Sequence, residues 1–429
     1  MRQPIADITP ETKAAEITGW VHEIRDLGGL AFYVIRDRTG IIQATIVKKK
    51  APEAVLEAAK AVSRESVVRI AGPVKAVDKA PGGRELIPET FELIARAETP
   101  LPLDVAEKVP AELDTRLDSR YLDTRRPRIA AIFQIRSTVM HAVADLLYRE
   151  GFISIQTPKV VAAATEGGTE LFPIAYFEKE AFLNQSPQLY KQMMMAAGFE
   201  KVFEIGPIFR AEEHNTVRHL NEATSIDVEV SFADHEDVMA LLERLMKNAY
   251  EAVFERCAPQ LETLGVALDI PETPFPRITY AEAIDIAAPR IEEDLRFGDD
   301  LGTAAEKAIG EEMGSHYFVV DWPTAIKPYY AMPYENNPEL CRAFDMMHPR
   351  MELSSGAQRV HLHDLLVEQI RAKGLSPESF EFYLQPFRYG MPPHAGWGLG
   401  AERVVMTMLD LANIREAVLF PRDRHRLTP

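Results

Sequence analysis

Two stretches of this chain gather side chains that could grip an anion. The first, from Phe203, reads FEIGPIFRAEEHNTVRHLNEATSIDVEVSF. A strand ends in Phe209, Arg210, Ala211 and Glu212; a polar loop carries Arg218 and His219; a returning strand carries Asp227 and Glu229. Two antiparallel strands would thus present arginine, histidine and carboxylates on one hairpin. Arginine suits phosphate or carboxylate because its planar fork donates two parallel hydrogen bonds. A single arginine on such a hairpin is as readily a solvated surface group. The second stretch, 394–411, reads HAGWGLGAERVVMTMLDL. Gly396, Gly398 and Gly400 permit close backbone approach, after which Val404, Val405, Met408 and Leu409 recur at helical spacing and put Arg403 in the first turn. This is not the dinucleotide fingerprint, which needs a βαβ unit and a later acidic residue.

Elements must position these groups. Residues 14–26, 29–37 and 40–47 are β-branched or aromatic runs separated by glycine-containing turns; 52–62 has helical spacing, and 65–77 and 84–95 again read as strands. Five strands with a helix after the third is the order of an oligonucleotide-binding (OB-fold) barrel, though a purely structural small barrel shares it. Residues 97–128 are rich in proline and charge, which marks a hinge. From Ile129 the spacing turns helical, with Ile132, Ile135, Val139, Val143, Leu146 and Leu147 on one face. Strands are then predicted at 155–162, 181–186, 201–212 and 223–233, and helices at 187–198, 235–256 and 361–373. The expected organisation is a barrel at 1–104, a hinge at 105–128 and an α+β domain at 129–429. Within it, 265–325 carries no pattern readable for function.

Composition narrows the class. Of 429 residues 46% are hydrophobic and 26% charged, and no apolar run is long enough for a bilayer span. The first residues lack the pattern of a signal peptide, so no membrane association and a cytoplasmic location are expected. Cys257 and Cys341 stand apart from any metal-ligand spacing. The net charge of −17 argues against coating nucleic acid by bulk charge. Residues 1–110 balance 16 Lys+Arg against 16 Asp+Glu, so the other 32 against 49 carry the −17 and any nucleic-acid contact is local.

A third element, GFISIQTPKVV at 151–161, means nothing chemical alone. With the other two, in this order, it resembles motifs 1, 2 and 3 of the class II aminoacyl-tRNA synthetases: Pro158, the FRAE with its loop, and GLGAER. The barrel in front resembles the subgroup for aspartate, asparagine and lysine. Thr165 to Glu170 (TEGGTE) and Gln185 to Gln192 (QSPQLYKQ) resemble its aspartate enzymes of compact archaeal type. The resemblance spans 14–429 and implies an OB-fold anticodon-binding barrel joined to an antiparallel-sheet catalytic domain.

It also implies a reaction: ATP and aspartate give aspartyl-adenylate, and a terminal ribose hydroxyl of tRNA takes the aspartyl group. Arg210, Arg403 and Glu352 would be catalytic. ATP would meet Arg210, Glu212, Arg218, His219, Leu220, Glu352, Gly400, Ala401, Glu402 and Arg403. Glu352 and Ser355 would carry Mg2+. Aspartate would lie among Glu166, Ser186, Gln188, Lys191, Arg210, Asp227, Ser355 and Arg359. Lys191 and Arg359 facing one cavity would need an anion to compensate them, which aspartate supplies and asparagine does not. Where relatives carry an aromatic to stack on adenine stand Ala223 and Thr224, leaving His219 or Arg403 for that face.

Phe32, Gln43 and Glu85 resemble the readers of the central anticodon uridine, although Phe32 could equally be barrel core. Relatives that reject tRNA(Asn) carry Trp and Lys where this chain has His22 and Pro81. The expectation is therefore aspartate charged onto both tRNA(Asp) and tRNA(Asn), with an amidotransferase as partner for the second product. The alternatives are charging of tRNA(Asp) only, an asparaginyl enzyme, a tRNA-independent amide ligase and a non-enzymatic single-strand binder. Motif 1 implies a homodimer.

Overall fold

The computed structural model of the protein describes residues 2–162, 171–212 and 216–429, divided into two compact units, Met1–Arg126 and Pro127–Pro429. In the first, β1 (Ala14–Asp26), β2 (Leu30–Asp37) and β3 (Gly40–Val47) form an antiparallel meander. Helix α1 (Glu53–Lys60) follows, then β4 (Val67–Ala76), β5 (Arg84–Leu86) and β6 (Thr90–Ala95). The sheet order is β1-β2-β3-β5-β4-β6, and pairing of β1 with β4 closes it into a barrel. Alternation puts Ile17, Val21, Ile35, Ile42, Ile70 and Leu86 inside, with Val55 of α1 against them. The run 84–95 is two strands, because Pro88 interrupts it and has no N–H for a ladder. The stretch expected to be a hinge holds α2 (Leu113–Asp118) and α3 (Arg120–Asp123), and up to Arg126 it belongs to the first unit. There the buried Asp123 takes ion pairs from Arg116, Arg120 and Arg126.

The second unit opens with α4 (Pro127–Arg149), whose Ile132, Ile135, Val139, Val143 and Leu147 are buried. Short strands β7 (Ile153–Ser154), β8 (Val160–Val161), β9 (Pro173–Tyr176) and β10 (Lys179–Leu183) lead to α5 (Gln188–Ala196). The arginine hairpin is β11 (Lys201–Phe209) and β12 (Glu222–Ser231), followed by α6 (His235–Arg256) and α7 (Ala258–Leu264). Then come β13 (Arg277–Thr279), α8 (Tyr280–Ala287), α9 (Thr303–Met313), β14 (Tyr317–Pro323), β15 (Leu340–His348) and β16 (Met351–Arg359). Helices α10 (His363–Ala372) and α11 (Glu381–Leu384), strand β17 (His394–Gly400) and helix α12 (Ala401–Met408) complete it. Eight strands run β13-β14-β15-β16-β17-β12-β11-β7, antiparallel except for the outermost pair at each edge. Ile226, Val228, Phe344, Met346, Ala395, Trp397 and Leu399 face α4, α6 and α12. Period two then dictates that Ser225, Asp227, Glu229, Asp345, Ser355, Arg359 and the glycines of β17 lie on the opposite face.

Candidate active site

A polar cavity of about 540 Å³ opens on that opposite face. Its floor exists because β17 lacks side chains there: a Cβ on Gly396 would collide with Glu229 and the Val228 carbonyl. The β17 glycines therefore make room for buried carboxylates of the neighbouring strand rather than forming a loop around a ligand.

At the inner end four charges balance. Arg359, 3% exposed, donates from Nε to Glu229 Oε1 at 3.0 Å, and Glu229 is wholly buried. Lys191, 1% exposed, donates to Asp227 Oδ1 at 3.0 Å, Trp397 O at 3.0 Å and Val228 O at 3.3 Å, with Glu229 Oε2 at 3.4 Å. Burial opposes ionisation of Glu229, yet Arg359 and Lys191 hold its carboxyl below the usual range. This corrects the expected role of Lys191. All three of its protons are taken by protein and it does not line the cavity, so two cations meet two carboxylates and no anionic ligand is required for balance. Arg359 does line the cavity, and its Nη1 has no protein acceptor among the described residues.

Gln188 is aimed by a chain of bonds. His394 Nδ1 faces Pro392 O at 2.8 Å and must donate, so Nε2 accepts from Gln192 Nε2 at 3.0 Å. Burial holds that imidazole down at about 4, which keeps it neutral. Gln192 Oε1 then accepts from Tyr383 and from Gln188 Nε2. Gln188 Oε1 is left as an acceptor at the cavity wall, beside Ser186 and Asp227. Glu166 lies outside the described residues.

At the outer end Arg210, Arg218 and Arg403 converge with His219, Leu220, Glu212, Glu352, Ser355 and Gly400. Asn221 clamps the hairpin mouth: its Nδ2 donates to Arg210 O at 2.7 Å, and its carbonyl accepts from Arg210 N. Burial lowers the His219 imidazole, and Thr216 Oγ1 holds its Nδ1 at 2.7 Å. Arg403 Nη1 donates to Glu352 O at 2.9 Å. Two of the residues expected at the nucleotide are also held by the fold, and Glu402 lines the cavity as well. The Ala401 side chain is in the core, and the buried Glu402 carboxylate binds Arg136 and the Thr224 N–H.

Two groups went unread in the sequence. Asp345 stands opposite Ser355 in the β15–β16 register. Burial raises its carboxyl to about 6, against the opposing Lys327 ammonium at 2.6 Å and reinforced by Glu352. Its Oδ1 is buried without a hydrogen-bond partner. Glu306, from α9, also lines the cavity, raised to about 7 by burial and by Glu352. Among the described residues no three metal-ligating side chains are close enough to hold an ion unaided. An orphaned carboxylate oxygen beside Glu352 and Ser355 nevertheless fits a hard cation that takes its remaining oxygens from phosphate and water.

The barrel presents a second candidate face. Ala31, Tyr33 and Ile35 enter its core, so Phe32 points outward, half-buried and across from Thr45. Gln43 and Thr45 both donate to Glu85 Oε2, at 3.3 and 2.6 Å, which joins Gln43 and Glu85 on the surface that carries Phe32. His22 sits at a β-bulge between Val21 and Glu23, where Arg36 Nη1 approaches its Nδ1 at 2.9 Å. Arg36 in turn binds the buried Glu65. Pro81 lies in the turn before β5, where its carbonyl accepts from Arg84. Hydrogen bonding ties His22 to Arg36, not to that turn.

The chain resembles known families and proteins along its whole length. The family described as tRNA synthetases class II (D, K and N) matches residues 112–424, and the OB-fold nucleic acid binding domain family matches 15–94. The chain is similar to an Aspartate--tRNA(Asp/Asn) ligase of Methanoculleus marisnigri, 73% identical over the whole of both chains. One of the same description from Archaeoglobus fulgidus is 64% identical, again over both whole chains. Among solved structures, asparaginyl-tRNA synthetase from Pyrococcus horikoshii complexed with asparaginyl-adenylate superposes with a TM-score of 0.94 at 36% identity, covering all of both chains. Aspartyl tRNA synthetase from Entamoeba histolytica does so at 0.88 and 31%, covering all of this chain and 93% of that one.

Proposed function

The chain belongs to the class II tRNA synthetases of the aspartate, lysine and asparagine group, and from that premise we propose that it activates aspartate with ATP and loads it onto the tRNAs for both aspartate and asparagine. One observation carries the reading: a single cavity joins three arginines at its outer end to the Asp227–Glu229–Arg359 array at its inner end. The names of the full-length relatives support the choice of amino acid and of both tRNAs.

In the first step an oxygen of the aspartate α-carboxylate attacks the α-phosphorus, a P–O bond forms, and the bond to the β-phosphate breaks to release pyrophosphate. Arg210 grips the α-phosphate and the substrate carboxylate, while Arg218, His219 and Arg403 hold the remaining phosphates and the base. Asp227 and Gln188 Oε1 receive the ammonium group, and Arg359 Nη1 the side-chain carboxylate. In the second step a ribose hydroxyl of the tRNA 3′ end attacks the activated carbonyl and AMP leaves. Glu352, Ser355 and Asp345 would hold Mg2+, which when bound supplies charge neutralisation at the β- and γ-phosphates.

Phe32 stacks on the central anticodon base, and Gln43 and Glu85 bond its edge. His22 and Pro81 leave the third base loosely read, since contacts to one base contribute about 1–3 kcal/mol. A homodimer through the exposed Pro158 segment, a cytoplasmic location and a partner amidotransferase for aspartyl-tRNA(Asn) belong to the same reading.

A second reading, asparagine as substrate, is favoured by the balanced charges around Lys191, which do not demand an anion. Charging with labelled aspartate or asparagine on tRNA(Asp) and tRNA(Asn) transcripts separates the two. Aspartate is expected on both tRNAs at similar kcat/KM. Aspartate on tRNA(Asp) alone would sink the His22 and Pro81 argument, and asparagine on tRNA(Asn) would establish the second reading.

A further inference from the structure

The segment 265–325, silent in the sequence, supplies a group to the cavity. Ala305 and Ile309 bury one face of α9 in the cluster around Tyr280 and Trp322. Gly310 rests on the β15–β16 turn so closely that a Cβ there would collide with the Pro349 carbonyl. Seated in this way, α9 turns Glu306 toward the arginine hairpin. Arg218 Nη1 donates to Glu306 Oε2 at 3.1 Å, and the two side chains are only 22% and 17% exposed. Among the described residues this is the one ion pair of Arg218, which leaves its other N–H groups for a ligand. Arg403 also faces Glu306 as a cation, and Glu352 and Asp345 face it as like charges.

Resting on the ATP reading above, we propose that Glu306 is a positioning residue, holding the Arg218 guanidinium at the cavity wall so that it meets the outer phosphates already oriented. A long arginine side chain that samples many rotamers loses that freedom on binding, and an arginine already anchored through one nitrogen does not. The role belongs to Glu306 rather than to helix packing, because α9 is seated by Ala305, Ile309 and Gly310 on other positions.

The test uses the full chain, the isosteric Glu306→Gln variant, Arg218→Ala and the double variant. Mg·ATP binding is followed by calorimetry, and KM for ATP and for aspartate by ATP–pyrophosphate exchange. Glu306→Gln is expected to raise the Kd and KM for ATP about tenfold while aspartate KM moves less than about twofold, and to add nothing once Arg218 is gone. Unchanged or tighter ATP binding, an equal rise in both KM values, or additive losses would overturn it. Absence of aspartate-dependent exchange in the wild type would instead sink the functional reading, and calorimetry would still decide the role of Glu306.

Discussion

Glu65 shows how much one buried side chain can depend on its neighbours. Its carboxylate is inaccessible, and burial alone would favour the neutral acid, yet bonds from His22, Arg36 and Arg125 hold it ionised down to about 2. Because the folded value lies below the ordinary 4.5, Glu65 adds stability that is complete above about pH 5 and is lost as the pH falls toward 2. The size is on the order of 3 kcal/mol. Glu65→Gln is therefore expected to destabilise the barrel by about that much at pH 7, with the gap to the wild type closing between about pH 5 and 2. Urea titrations across that range check it, and a gap independent of pH would mean the ion pairs contribute nothing. At this same scale the site was half legible. Arg210, Arg218 and Arg403 could be picked out because arginine beside glycine and carboxylate is a chemical pattern, Arg359 only through the family resemblance, and all four line the cavity. Glu229 could not be assigned as the partner of Lys191 and Arg359, since those pairs join elements 38 and 130 residues apart in the chain and depend on Gly396 yielding Glu229 space.

Elements with one period and one solvent face were readable. Helix α6 was expected at 235–256 and forms at His235–Arg256, begun by an Asp234–Asp237 capping box, and β1 and β3 also kept their expected bounds. The 265–325 segment was not readable because its pieces are short and its strands lie among the outer strands of the sheet, where β13 offers only Arg277–Thr279. One signal was available in the sequence: Thr279 and Glu282 make a capping box that starts α8. Gly310 in α9 is the other, since glycine inside a helix costs stability unless something approaches closely. Gly310→Ala should improve intrinsic helix propensity and yet lower stability, because the new Cβ meets the Pro349 backbone, which cannot rotate away. A loss of about 1–3 kcal/mol is expected for overpacking of this kind. As α9 lifts, Glu306 leaves Arg218 and ATP KM rises with it. Thermal unfolding together with an ATP titration checks both parts; a variant stabilised by the substitution would show that the contact relaxes freely.

The whole chain pairs an acidic body with a polyanionic substrate. Its net −17 lies entirely beyond residue 110, so long-range attraction cannot gather tRNA, and affinity must come from close contacts to splayed bases. The proposed readers lie on the outward face of β1, β2, β3 and β5, in a unit with its own core: the cluster around Ile17, Ile35 and Ile70 draws on residues of Met1–Arg126. Among the described residues the polar cavity is lined from Pro127–Pro429, whose clusters around Trp397 and Trp322 are likewise its own. Folding and amino-acid activation should then survive without the barrel, whereas tRNA selection should not. A fragment of residues 127–429 is expected to unfold cooperatively and to catalyse aspartate-dependent ATP–pyrophosphate exchange within a few-fold of the whole chain. Stacking and edge contacts to two anticodon bases, at about 1–3 kcal/mol each, amount to roughly 30-fold to 10⁴-fold in tRNA affinity. Charging of tRNA(Asp) by the fragment should fall by a factor in that range, and the fall should be the same for tRNA(Asn) if neither His22 nor Pro81 discriminates the third base. Exchange activity lost along with charging would mean that the cavity depends on the barrel, and a larger fall for one tRNA would locate discrimination in the barrel after all.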